Sequence, residues 1–180
     1  MLASLLIVFR EVIEAGLIVG IVLAATRGVR HRGRWVTYGI GTGLLGACLV
    51  AAFAGEIASL FAGSGAELFN ASILLLAVGM LTWHNVWMAG NGREIAANMR
   101  SVGALVATGE RTLSALAIVV GVAVLREGSE VVLFLYGIAS QGGSSLTTLM
   151  VGGLLGLAAG AALSALIYFG LLAIPIDLSP

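Results

Sequence analysis

Residues 8–20 read VFREVIEAGLIVG. Three charged side chains, Arg10, Glu11 and Glu14, stand in the middle of a run that is otherwise apolar. A charge at the centre of a membrane helix costs about 2.5–3.5 kcal/mol on the insertion scale, so the three together oppose insertion by about 8–10 kcal/mol. Residues 2–26 contain fourteen Leu, Ile, Val and Phe, which at about −0.5 kcal/mol each contribute about −7 kcal/mol. A helix here is marginal alone. Its charges must turn toward the inside of a bundle and find partners or water there.

The rest of the chain has the same character. It is 59% hydrophobic and 10% charged, with 26 glycines in 180 residues and a mean hydropathy of +1.09. Soluble domains carry about 25% charged residues, so an all-α membrane protein is the expected class. All nine basic residues are arginine and the net charge is zero. No concentrated basic patch marks a nucleic-acid surface. The lone Cys48 cannot form an intrachain disulfide and reads as a small packing residue. MLASLLIVFRE lacks the basic start of a signal peptide.

A spanning helix needs about 20 mostly apolar residues. Five such segments are expected, at 2–26, 35–60, 67–88, 113–139 and 147–173. The connection TRGVRHRGR carries Arg27, Arg30, Arg32 and Arg34, with His31 adding to its basic character. The longer connection 89–112 carries Arg93, Arg100 and Arg111. Residues 61–66 and 140–146 carry no basic residue. The positive-inside rule therefore puts both arginine loops in the cytoplasm and the N-terminus outside. Within 89–112, Ile95, Met99, Val102, Leu105 and Val106 recur at helical spacing and suggest a short amphipathic helix on the inner membrane face; an irregular loop is the alternative.

The opening motif returns at residues 124–137, VLREGSEVVLFLYG. Arg126, Glu127 and Glu130 repeat Arg10, Glu11 and Glu14 at identical spacing, with Val8/Val124 and Leu17/Leu133 in register. GLLG occurs at 43–46 and again at 153–156, in the spans that follow. Since the first and fourth spans run in opposite directions, the two units are expected to be inverted repeats, with a binding site where they meet near the bilayer midplane. The first unit is 1–88, the cytoplasmic loop 89–112, and the second unit 113–180. Symmetry asks for a third span in the second unit, whereas the chain ends at IPIDLSP, so it reads as a fragment or as one completed by another chain.

In a helix, side chains three or four apart share a face. Glu11 and Glu14 therefore project together within reach of Arg10, and Glu127 and Glu130 do so beside Arg126. Arg–Glu pairs that lock helices together would use only one glutamate per motif. Four negative charges against two positive leave an excess that is destabilising in a scaffold but suits a cation. Carboxylate oxygens favour hard cations, and no cysteine accompanies the motifs to favour copper(I). Glu11, Glu14, Glu127 and Glu130 are thus the expected metal residues, with Arg10 and Arg126 orienting them. No nucleophile–base set or cofactor motif favours an enzyme.

The doubled R-E-x-x-E, in FREVIEAGLIV at 9–19 and VLREGSEVVLFL at 124–135, resembles the oxidase-dependent iron transporter family of iron permeases. GAELFNASILLLAVGMLTWHNVWM at 65–88 looks like that family's third span. The resemblance covers essentially the whole chain. It implies iron transport in the plasma membrane (the bacterial inner membrane), with the four glutamates handling iron as substrate and no permanently bound cofactor. It also implies a partner that oxidises iron: a multicopper oxidase, or a periplasmic lipoprotein with a haem peroxidase. Relatives commonly have about seven spans, and many carry a second glutamate where Asn70 stands. The alternatives are a permease for lead or manganese, and a non-transporting membrane subunit held by its Arg–Glu pairs.

Glu56 and Glu67 flank the loop AGSGA and are candidate entrance residues, or ordinary helix-end glutamates. His84, between Trp83 and Trp87, reads as part of an interfacial aromatic belt rather than as a ligand. Gly16/Gly20, Gly39/Gly43 and Gly152/Gly156/Gly160 have the small-xxx-small spacing that allows close helix packing, within the chain or in a homo-oligomer. Met80, Met88 and Met99 form no cluster and receive no metal role.

Overall fold

A computed structural model describes residues 1–60, 66–140 and 145–173. Five helices make up the described chain: α1 (Leu2–Ala25), α2 (Arg32–Leu60), α3 (Ala66–Ala107), α4 (Ser114–Ser140) and α5 (Leu146–Ala173). Four match the expected spans closely. The start of α5 is capped by Ser145, whose Oγ accepts the Thr148 N–H at 3.2 Å. The end of α1 is held by Arg32, whose Nη1 donates to Leu23 O at 2.8 Å, satisfying a terminal carbonyl at the negative end of the helix dipole.

α3 differs from expectation. It runs unbroken for 42 residues, about 63 Å at 1.5 Å per residue, through the stretch read as a loop with a separate amphipathic helix. The expected apolar face exists, and it packs on the bundle as part of this long helix. Val106 joins Val22, Val36, Leu116, Val120 and Val124 in a buried cluster, with Met99 packed against it. Gly103 lies against Ala25. The turn into α4 begins at Gly109, whose φ of +82° favours glycine.

Burial is inverted relative to a soluble protein. Glu11, Glu127, Glu130 and His84 are buried, while Leu44, Leu45, Leu49 and Phe53 of α2 and Leu154, Leu166 and Phe169 of α5 are exposed. That pattern fits a lipid surround and a polar centre. Among the described residues, α2, α3 and α5 contain stretches long and apolar enough to cross a membrane. α1 and α4 each carry the three charges of a motif. Cys48 faces outward, which corrects its reading as a packing residue.

The helices pair closely as α1 with α5 and α2 with α4, each pair parallel, and α3 packs across α1 and α4. Glycines set these approaches, and they do so within the chain. A Cβ on Gly39 would lie 2.7 Å from Ala117 O and 2.9 Å from Val120 Cβ. One on Gly43 would lie 2.7 Å from both Gly121 O and Val124 Cβ, and one on Gly128 2.7 Å from Ala47 Cβ. In the other pair Gly152 faces Met1 and Ser4, Gly156 faces Leu5 and Val8, and Gly160 faces Phe9 and Val12. Position by position the α1 contacts match the α4 contacts in the register that superposes Arg10 on Arg126. Gly43 then corresponds to Gly156, one turn beyond the glycine that opens the second GLLG tract. Short glycine tracts have no unique phase, so packing, not the tract, sets this alignment.

Candidate metal centre

Helical periodicity brings each motif's side chains to one side, and the antiparallel crossing of α1 and α4 brings the two motifs together at mid-length of both helices. In α1, Arg10 Nε donates to Glu14 Oε1 at 2.9 Å and Arg10 Nη1 lies 3.8 Å from Glu11 Oε1. In α4, Arg126 Nε reaches Glu130 Oε1 at 3.4 Å and lies 4.0 Å from Glu127 Oε1. The arginines thus hold the last glutamate of each motif. The Arg126 guanidinium also lies 5.2 Å from the centre of the Trp87 ring, a cation–π distance.

The remaining carboxylate oxygens have no such donors. Both oxygens of Glu11, Oε2 of Glu127 and Oε2 of Glu130 are buried and accept from no nitrogen or hydroxyl among the described residues; Glu11 and Glu127 instead lie within hydrogen-bonding reach of each other, two carboxyl groups that can share a proton or a cation. Glu11 is 1% exposed, Glu127 and Glu130 4% each. Buried oxygens without donors are costly, and either a proton or a cation would relieve them. Two sets of donor atoms lie within 4.8 Å of one another: Glu11, Glu127 and Glu130 form one, Glu14, His84 and Glu127 the other. Glu127 belongs to both.

His84 corrects the aromatic-belt reading. It is 2% exposed, and its ring links the motifs: Nε2 is 2.7 Å from Glu14 Oε2, Nδ1 is 3.2 Å from Glu130 Oε1, and Arg126 Nη2 is 2.6 Å from Nδ1. Trp83 and Trp87, flanking it in sequence, are exposed. Ending the span at residue 88 placed His84 near an interface; in the continuous α3 it is interior. The available signal was Ala77, His84 and Asn91 at seven-residue spacing, a small and polar stripe beside the tryptophans.

Beside this ring lies a cavity of about 430 Å³, lined by Met80, Trp83, His84, Trp87, Arg126, Ser129 and Glu130. Glu56 and Glu67 are not part of the cluster. Both are exposed, at the end of α2 and in the first turn of α3, where Glu67 complements the helix dipole. Most of the loop between them, residues 61–65, lies outside the described residues.

Residues 1–176 match the model of the iron permease FTR1 family. The chain belongs to the iron permease family. It is 34% identical over 179 residues to the ferrous iron permease EfeU of Escherichia coli O6:H1 (strain CFT073), covering 94% of this chain and 62% of that protein. The EfeU proteins of Escherichia coli O157:H7 and Shigella sonnei (strain Ss046) are each 33% identical over 178 residues with the same coverage. The chain therefore spans less than two thirds of these relatives' length. No solved structure matches. Membership of this family, with helices apolar enough to span, makes the chain a multi-pass membrane protein.

Proposed function

We propose that this chain carries iron across the membrane, holding the ion between the paired glutamates of its two R-E-x-x-E motifs. The observation that carries the proposal is the meeting of three buried carboxylates, Glu11, Glu127 and Glu130, from two helices within 4.8 Å, with oxygens that no nitrogen or hydroxyl donor satisfies. Their negative excess would replace the hydration shell of an entering cation. The names of the relatives favour ferrous iron as the form carried.

The matching contacts of α1 with α5 and of α4 with α2 support an inverted-repeat design, with the site where the repeats meet near the bilayer midplane. The arginine-bearing connections then lie in the cytoplasm and the N-terminus outside. Movement of one repeat against the other would open the site alternately to the two sides. The Arg10–Glu14 and Arg126–Glu130 pairs are the features that favour a purely structural reading, and they leave Glu11 and Glu127 unexplained.

Iron binding to the purified chain in detergent, compared with Glu11→Gln and Glu127→Gln, tests the proposal. Gln keeps the shape and removes the charge. Each variant is expected to stay folded and to bind iron at least about tenfold more weakly, about 1.4 kcal/mol. Folded variants that bind like the wild type would leave the glutamates structural.

A further inference from the structure

We propose that His84 is itself a ligand of the transported ion, adding one nitrogen to the carboxylate site and favouring iron over harder cations. The inference rests on the reading of the glutamates as the ion site and names a residue that the motifs do not contain.

The geometry of the ring is the first argument. His84 Nε2 and oxygens of Glu14 and Glu127 lie within 4.8 Å of one another. Ligands of one first-row ion, at about 2.1 Å from it, stand about 3–4 Å apart, so a small side-chain rotation closes the set. The ring is buried, yet it borders the 430 Å³ cavity. An ion approaching from that side therefore meets His84 and Glu130 together.

Two groups of opposite hydrogen-bonding character meet at Nδ1. Arg126 Nη2, a donor, and Glu130 Oε1, an acceptor, both lie within hydrogen-bonding reach of this nitrogen. Without an ion, Nε2–H donates to Glu14 and Nδ1 accepts from Arg126. With an ion on Nε2, the ring proton would sit on Nδ1 and be donated to Glu130, and Arg126 Nη2, a donor itself, would have to turn away from Nδ1 while its Nε keeps Glu130. Each nitrogen has a partner in each arrangement. A carboxylate behind a ligating imidazole is the usual support of such ligands, and α4 supplies it here.

Carboxylate-only sites suit magnesium, calcium and manganese, and an imidazole moves preference along the series toward iron. The adjacent triad of Glu11, Glu127 and Glu130 offers oxygen alone. The nitrogen therefore distinguishes the position that Glu14 and Glu127 share with His84.

The test uses the purified chain in detergent, without oxygen, with Fe(II) and Mn(II) as probes. X-ray absorption at the iron edge of the wild type should show the outer-shell scattering of one imidazole, and His84→Gln should abolish it. His84→Gln should also lower the ratio of Fe(II) to Mn(II) affinity by about tenfold, with Mn(II) binding largely kept. Absence of imidazole scattering in the wild type, or an unchanged affinity ratio in the variant, overturns the proposal. The wild-type spectrum needs no variant and decides the matter even if His84→Gln does not fold. Failure of the underlying reading looks different: Glu11→Gln would then bind iron as the wild type does, whereas loss of binding in Glu11→Gln without imidazole scattering removes His84 alone.

Discussion

Arg126 and Arg10 occupy matching places in their motifs but not matching surroundings. Arg10 contacts Glu11 and Glu14 of its own helix. Arg126 spans Glu127, Glu130, the His84 ring and the face of Trp87. A planar, forked guanidinium can pair with carboxylates while lying on an aromatic face, a geometry that a compact ammonium does not reproduce. Arg126→Lys should therefore weaken iron binding by about tenfold, within the range for residues that support metal ligands, and Arg10→Lys should cost less. Equal losses in a binding titration of the two variants would count against the cross-helix role of Arg126. At this scale much was legible beforehand: spacing alone puts Glu11 with Glu14 and Glu127 with Glu130. His84 was not, because two tryptophans beside it imitate an interfacial belt and its partners lie on other helices.

At the scale of elements, the glycines divide into those that permit contact and those that do not. In α2, a Cβ on Gly43 would press on Gly121 O and Val124 Cβ, whereas one on Gly41 meets nothing within 4 Å. Gly43→Ala should destabilise the fold by about 1–3 kcal/mol, the range for overpacking. Gly41→Ala should be neutral or stabilising by up to about 1 kcal/mol, from helix propensity. Denaturant titration in detergent would compare the two, and an equal response would remove the packing argument. The helix bounds show where sequence reading stops. Hydropathy marks where lipid ends, not where a helix ends, so Gly90, Asn91, Gly92 and Arg93 look like the start of a loop although α3 continues through them. What holds that extension is its packing against the end of α1 and the start of α4, which no local pattern announces.

For the whole molecule, the arrangement makes a topological prediction. With Cys48 replaced by Ala, an Arg30→Cys variant should react with a membrane-impermeant thiol reagent only from the cytoplasmic side, and Ser145→Cys only from outside. Both positions are exposed, in the connections that follow α1 and precede α5. Labelling of both from one face would contradict the proposed orientation.

The pairing of α1 with α5 also sets an order of events during synthesis. α1 carries three charges and is marginal in lipid, and its closest neighbour is the last helix of the described chain. At about 5–20 residues per second, on the order of ten seconds separates the two at the ribosome. Over that interval the first helix has neither α4 to meet its glutamates nor α5 to cover its glycine face. Sheltering of α1 by the insertion machinery until α4 and α5 emerge is the expected consequence of this pairing.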